Sequence, residues 1–279
     1  MTATNSTMSI AIVSGKGGVG KTNISLNLGY ALSQLGHPTL IMDADLGLAN
    51  LDVLLGISPE YNIQDVITKD VAPRDVVVAI NQQGLDLLPA ASGIADLVDL
   101  DEDVQSLLLT RLKPLFHAYD YLLLDLGAGI NPTVLSFAAM AQERLVVLTP
   151  EPTSLTDSYA LIKILTTEHG VKNFQVIVNM TDSTQEARQT FDRLFAACHH
   201  FLGIKIQYLG LVRHDKAVTE SVRKQEPLVK WAHRSPAALN IKTIAESLHK
   251  QRSLLAHLIA KSSVLRVPYG AHARSYSQK

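Results

Sequence analysis

Cysteine is nearly absent from this 279-residue sequence: Cys198 is the single one. One thiol excludes a disulfide framework and any cysteine-based metal cluster built within one chain. It fits a reducing compartment, and the expected location is the cytoplasm. Aromatics are scarce at 5%, and no apolar run approaches the roughly 18 residues that a membrane span needs. Residues 1–8 are polar and uncharged, without the apolar stretch of a signal peptide, and are expected to be a disordered tail. Charge of one sign is lacking too: the formal net charge is −1, which argues against a chain that coats nucleic acid with its whole surface. Hydrophobic residues are plentiful at 47%, enough to bury a sizeable core.

The informative stretch is Gly15-Lys16-Gly17-Gly18-Val19-Gly20-Lys21-Thr22. It lies between an apolar run, Ile10 to Val13, and a helix-like segment, Asn23 to Leu35. Strand, glycine loop and helix in that order are the context of a phosphate-binding loop. Glycines let backbone amides turn toward an anion, and the following helix adds its positive N-terminus. Lys21 then reaches the β and γ phosphates of a nucleotide, and the Thr22 hydroxyl takes a Mg2+ ion. Lys16 occupies a rim position that a general phosphate loop leaves open. By chemistry alone it is either a solvated lysine or a cation that projects toward a partner's phosphates.

Carboxylates follow at two further strand ends. Thr39 to Met42 reads as a buried strand delivering Asp43 and Asp45, and Tyr119 to Leu124 as another delivering Asp125. Ligands gather at the carboxyl ends of strands in open α/β sheets, and nearby carboxylates need a cation between them. Asp125 after an aliphatic strand is the usual holder of a nucleotide's Mg2+, and the glycines after it, Gly127 and Gly129, let the chain pass close to a γ phosphate.

Further elements are expected at Leu85 to Leu88 (strand), Val104 to Phe116 (helix, with Pro114 bending or shortening it), Leu145 to Thr149 (strand) and Leu155 to Thr167 (helix, with Thr153 or Ser154 as N-cap). Phe174 to Val178 is a strand ending in Asn179, whose amide is either a turn former or a match for a base edge. Gln185 to Phe201 is a helix; its Cys198-His199-His200 run lacks the spacing of metal ligands. Ile206 to Val212 is a last strand leading to Arg213 and Asp215, followed by a helix at Val218 to Gln225, an edge segment at Pro227 to Val229 and a final helix from Ser235-Pro236. Six to eight mostly parallel strands with helices between them imply one doubly wound α/β domain, over residues 9–260. From 241 to 279 there are seven basic residues against Glu246 alone. Leu254, Leu255, Leu258, Ile259 and Leu265 approximate an amphipathic stripe suited to core packing or to an anionic membrane face, and 261–279 is expected to be a basic, flexible tail.

The Lys16-to-Thr22 loop, the Asp43-to-Asp52 run and the Asp125-Leu126-Gly127-Ala128-Gly129 loop together resemble the deviant Walker A ATPases of the MinD/ParA type. The stretch Leu48 to Gly93, with the runs Leu46 to Gly56 and Leu88 to Gly93, resembles the flagellar-number branch of that family, called FleN or FlhG. The resemblance implies a P-loop fold, slow hydrolysis of ATP with Mg2+, and an ATP-bound homodimer in which Lys16 completes the opposite subunit's site. By the same carry-over Asp45 orients the attacking water, Asp43 supports the Mg2+ shell, Glu151 faces the partner, and Asn179, Arg213 and Asp215 lie near the adenine. The family usually has proline near position 213, so this chain departs from it there. Implied partners are a flagellar transcriptional activator or a flagellar GTPase, with weak membrane contact through the C-terminal tail at the inner face or cell pole, and no direct DNA binding. The family leaves open a division-site regulator, a partition ATPase, and a nucleotide-gated binding module in which hydrolysis is incidental; the lone cysteine disfavours an iron-sulfur carrier.

Overall fold

The computed structural model describes residues 6–45, 50–90 and 102–266. Eight strands, β1 (Met8–Ser14), β2 (Thr39–Ala44), β3 (Val78–Ala79), β4 (Leu85–Leu88), β5 (Tyr121–Ala128), β6 (Glu143–Leu148), β7 (Gln175–Thr181) and β8 (Gln207–Arg213), form one sheet. The order is β3-β4-β2-β5-β1-β6-β7-β8, parallel throughout except for the antiparallel β3–β4 pair. The helices are α1 (Lys21–Gln34), α2 (Leu51–Leu55), α3 (Asp65–Thr68), α4 (Pro73–Val76), α5 (Glu102–Phe116), α6 (Pro132–Met140), α7 (Pro152–Thr167), α8 (Thr184–Leu202), α9 (Lys216–Lys224), α10 (Leu228–Trp231) and α11 (Pro236–Ile259).

Parallel strands buried on both faces read as continuous apolar runs, and β1 and β2 are buried at every position. Alternate residues of β1 feed two cores. Ile10 and Ile12 pack with residues of α1, α10 and α11, while Ala11 and Val13 pack with those of α5 to α8. β1 sits between β5 and β6, where the chain's winding reverses, and its carboxyl end is therefore the central crevice of the sheet.

Several expectations are corrected. α7 begins at Pro152 with Glu151 as N-cap; the Ser154 hydroxyl instead accepts from Thr149 N at 3.0 Å, tying the helix back to the end of β6. α5 runs past Pro114 to Phe116, because a proline in the last turn leaves little helix to disrupt. Leu228 and Val229 form no edge strand: both are buried, and Val229 N donates to Asn27 Oδ1 at 3.0 Å to start α10. Described residues on either side of 9–260 also pack against the domain. Met8 opens β1, and Thr7 is buried with its hydroxyl donating to Phe116 O at 2.9 Å. Residues 261–266 also pack down: the Ser9 hydroxyl donates to Val264 O, and Arg266 N to Met140 O at 2.8 Å. The stripe on α11 divides, with Ile259 buried and Leu254 and Leu258 exposed. The tail expectations for 1–5 and 267–279, and residues 46–49 of the Asp43-to-Asp52 run, lie outside the described residues. Among the described residues no helix is long and apolar enough to cross a membrane.

Candidate functional site

A cavity of about 260 Å³ opens at the carboxyl end of β1, lined by Ser14, by Gly18 to Asn23, and by Asp45, Asn50 and Ala128. Gly18 and Gly20 adopt left-handed φ of 77° and 84°, which turn the loop's amides inward at little steric cost. α1 follows directly with no side-chain cap, so its first amides remain available to an anion. Gly15 is required for a different reason. A Cβ there would lie 2.2 Å from the backbone carbon of Asp157, so loop and α7 are in backbone contact.

Lys21 is buried, with its ammonium 3.5 Å from Asp125 Oδ1. The Ser25 hydroxyl donates to that same oxygen at 2.8 Å. Asp125 is wholly buried and its Oδ2 has no hydrogen-bond partner. Asp43 stands directly across from it in the β2–β5 register. Asp43 accepts from the amides of Asp45 (3.1 Å), Asn50 (3.3 Å) and Leu51 (3.4 Å). Burial first and the Asp125 charge second raise the Asp43 pKa to about 7, despite those three amides. Burial also raises the Asp125 pKa, opposed by Lys21 and the Ser25 hydroxyl. Two adjoining carboxylates with one orphaned oxygen and one lysine are short of positive charge. Oxygen donors in that arrangement, with Thr22 beside them, fit a Mg2+ ion. Asp45 lines the same cavity, next to Gly127: a Cβ on that glycine would be 3.3 Å from Asp45 Oδ1.

The outer residues divide. Lys16 points away from the cavity, its ammonium 2.6 Å from Glu151 Oε2 and 3.0 Å from the Thr153 hydroxyl. Asn179 is buried and donates to Val19 O at 2.7 Å, holding the loop's own backbone. Arg213 is exposed at the end of β8, with its amide on Asn240 Oδ1 at 3.2 Å. Asp215 does something the sequence did not suggest: its two oxygens accept from Ala217 N (2.9 Å) and Ala237 N (3.1 Å), capping α9 and joining it to the start of α11. Ser14, Ser25 and Asn50 were missed. Ser25 alone carried a legible signal, one helical turn beyond Lys21 on the same face.

The family model for ParA, described as NUBPL iron-transfer P-loop NTPase, matches residues 5–249. The chain belongs to the ParA family. As a member it is a MinD/ParA-type ATPase, working with ATP and Mg2+. This ParA-family chain is 42% identical to the antiactivator FleN of Pseudomonas aeruginosa, over 86% of its own length and 85% of FleN. It is 35% identical to the flagellum site-determining protein YlxH of Helicobacter pylori, over 85% and 80%. Its fold superposes on the septum site-determining protein MinD of Pyrococcus horikoshii, a structure complexed with Mg-ADP, with a TM-score of 0.73 at 26% identity, covering 89% of this chain and 98% of that one. The iron chemistry in the family description has no thiol pair here. The one cysteine of this ParA-family member is enclosed in the core, and burial pushes its thiol up to about 12.

Proposed function

We propose that this ATPase is an ATP-gated dimerisation switch that limits flagellar number or placement, through a flagellar transcriptional activator or a flagellar GTPase. The observation that carries the reading is the position of Lys16: exposed on the rim, bound to Glu151, and outside the cavity of its own loop. A lysine held there is available to a second subunit's phosphates and idle in its own. The amides from Gly17 to Thr22 and the Lys21 ammonium hold the β and γ phosphates. Thr22, Asp43 and Asp125 would hold a Mg2+ ion, which would supply positive charge against the phosphates. Asp45 orients the attacking water, and Asn179 keeps the loop shaped beneath the nucleotide. Because phosphoryl transfer is mostly positioning and charge neutralisation, a monomer lacking its partner's Lys16 hydrolyses ATP slowly. The flagellar assignment is supported by the similarity to the Pseudomonas and Helicobacter proteins, whose names are antiactivator and site-determining protein.

Size-exclusion chromatography with light scattering, in ADP and in ATP, tests the switch. Wild type is expected to dimerise with ATP alone, Lys16→Ala to stay monomeric, and Asp45→Ala to accumulate as the ATP dimer. A wild-type chain that remains monomeric under ATP overturns the proposal. Counting flagella in cells carrying Asp45→Ala separates a working hydrolysis step from a binding module in which turnover is incidental.

A further inference from the structure

α2 is a five-residue helix, too short to hold itself together, and it is pinned at both ends. At its start the amides of Asn50 and Leu51 are the donors that hold Asp43 Oδ2. At its end the chain turns through Gly56, with φ of 62°, against a side chain from a distant helix. Gln225, the C-cap of α9, donates its side-chain amide to the Val53 carbonyl at 2.9 Å. The fit is tight: a Cβ on Gly56 would stand 2.7 Å from Gln225 Oε1.

Gln225 itself has φ of 55°, in the left-handed region. A helix C-terminus in that conformation is ordinarily solved with glycine, which avoids the steric cost of a side chain. The chain keeps a long amide there, and the amide's contact is α2. At its other end α9 is fixed by Asp215, beside the end of β8. One helix thus ties the end of β8 to the segment that follows Asp43.

We propose that Gln225 is a positioning residue for ATP hydrolysis: it holds α2, and through the α2 amides it holds the Asp43 carboxylate at the metal end of the cleft. This rests on the ATPase reading of the same site. Two variants separate the side chain from the backbone. Gln225→Gly removes the amide while relieving the left-handed backbone; Gln225→Glu keeps the shape and sets an acceptor against a carbonyl. Both are expected to lower kcat about five- to tenfold, the equivalent of one lost hydrogen bond, with KM for ATP little changed because the phosphate loop is untouched. In the nucleotide-free protein both are expected to speed amide exchange over residues 51–57. Gln225→Gly is expected to do so with a melting temperature equal to or above wild type. Unchanged exchange over 51–57 overturns the proposal, and so does a fall in kcat that tracks a lower melting temperature. Wild-type protein that turns over ATP no faster with Mg2+ than without overturns the underlying reading instead, and the exchange result still decides whether Gln225 holds α2.

Discussion

Charged groups lie at both edges of the sheet, but only at the carboxyl edge do buried carboxylates outnumber the cation between them. At the carboxyl edge Asp43 and Asp125 face each other with Lys21 at 3.5 Å and one oxygen of Asp125 without a partner. At the amino edge Asp120 takes His37 on one oxygen at 2.7 Å and Arg252 on the other at 2.6 Å. Arg144, buried near the start of β6, donates to the carbonyls of Ala138, Ala141, Gln142 and Asn173 and to the Asn173 side chain. Two of those carbonyls end α6, where the helix dipole favours a cation. At the amino edge each charge meets groups of opposite polarity, which serves the fold; at the carboxyl edge two carboxylates share one lysine, which marks where a ligand supplies the missing charge.

The sharpest way to break this comparison is to neutralise one charge at each edge. Asp125→Asn is expected to cut Mg-ATP turnover about 100-fold or more, since it removes a metal-holding oxygen at the phosphates. The melting temperature of the nucleotide-free protein should hold or rise, because the repulsion with Asp43 is gone. Arg144→Met is expected to show the reverse. Urea unfolding should lose about 3–5 kcal/mol as several buried carbonyls go unpaired. Burial lowers the Arg144 pKa only to about 10, so a full charge is removed at neutral pH. Nucleotide affinity of the folded fraction should match wild type. A large stability loss in Asp125→Asn, or lost nucleotide binding in Arg144→Met, would erase the distinction between the edges.

That contrast also describes what was legible in the sequence. The carboxyl edge was readable because phosphate chemistry demands particular residues at fixed spacing: Gly15 to Thr22, then acids at strand ends. The sheet was readable because double burial writes continuous apolar runs such as Leu122 to Leu124. Arg144 and Asp120 were not read at all, since their partners lie on other elements and carbonyls leave no trace in a sequence. The helix-joining contacts of Asp215 went unread for the same reason: its second partner, Ala237 N, belongs to a helix that begins 21 residues later. Position 154 misled differently. A hydroxyl at a helix start has more than one backbone amide within reach, and which it meets depends on how β6 ends.

Asp215 tests a smaller asymmetry, since it belongs to the carboxyl edge yet is fully engaged. Asp215→Ala is expected to cost about 1–2 kcal/mol in urea unfolding, the loss of capping at two helix starts. Burial alone would raise this carboxyl, but the amides of Ala217 and Ala237 outweigh it and the pKa is lowered. A lowered folded-state pKa gives stability that is present above the unfolded value of about 4 and lost as the pH falls from there through the lower folded value. The gap between wild type and Asp215→Ala should therefore be constant from pH 7 to about 5 and narrow below that. A gap that widens toward acid would mean the capping carboxylate is not the source of the stability.

The smallest effect on stability belongs to the rim. Lys16 and Glu151 are 39% and 60% exposed, and an ion pair so wet contributes under about 1 kcal/mol. Glu151→Gln is therefore expected to leave the melting temperature nearly unchanged. Its consequence should appear in assembly. If Glu151 restrains Lys16 within the monomer, releasing that lysine tightens the ATP-dependent dimer a few-fold in sedimentation experiments. If Glu151 instead meets the partner subunit, the same substitution weakens the dimer. The sign of one small shift thus separates a contact within the chain from a contact between chains.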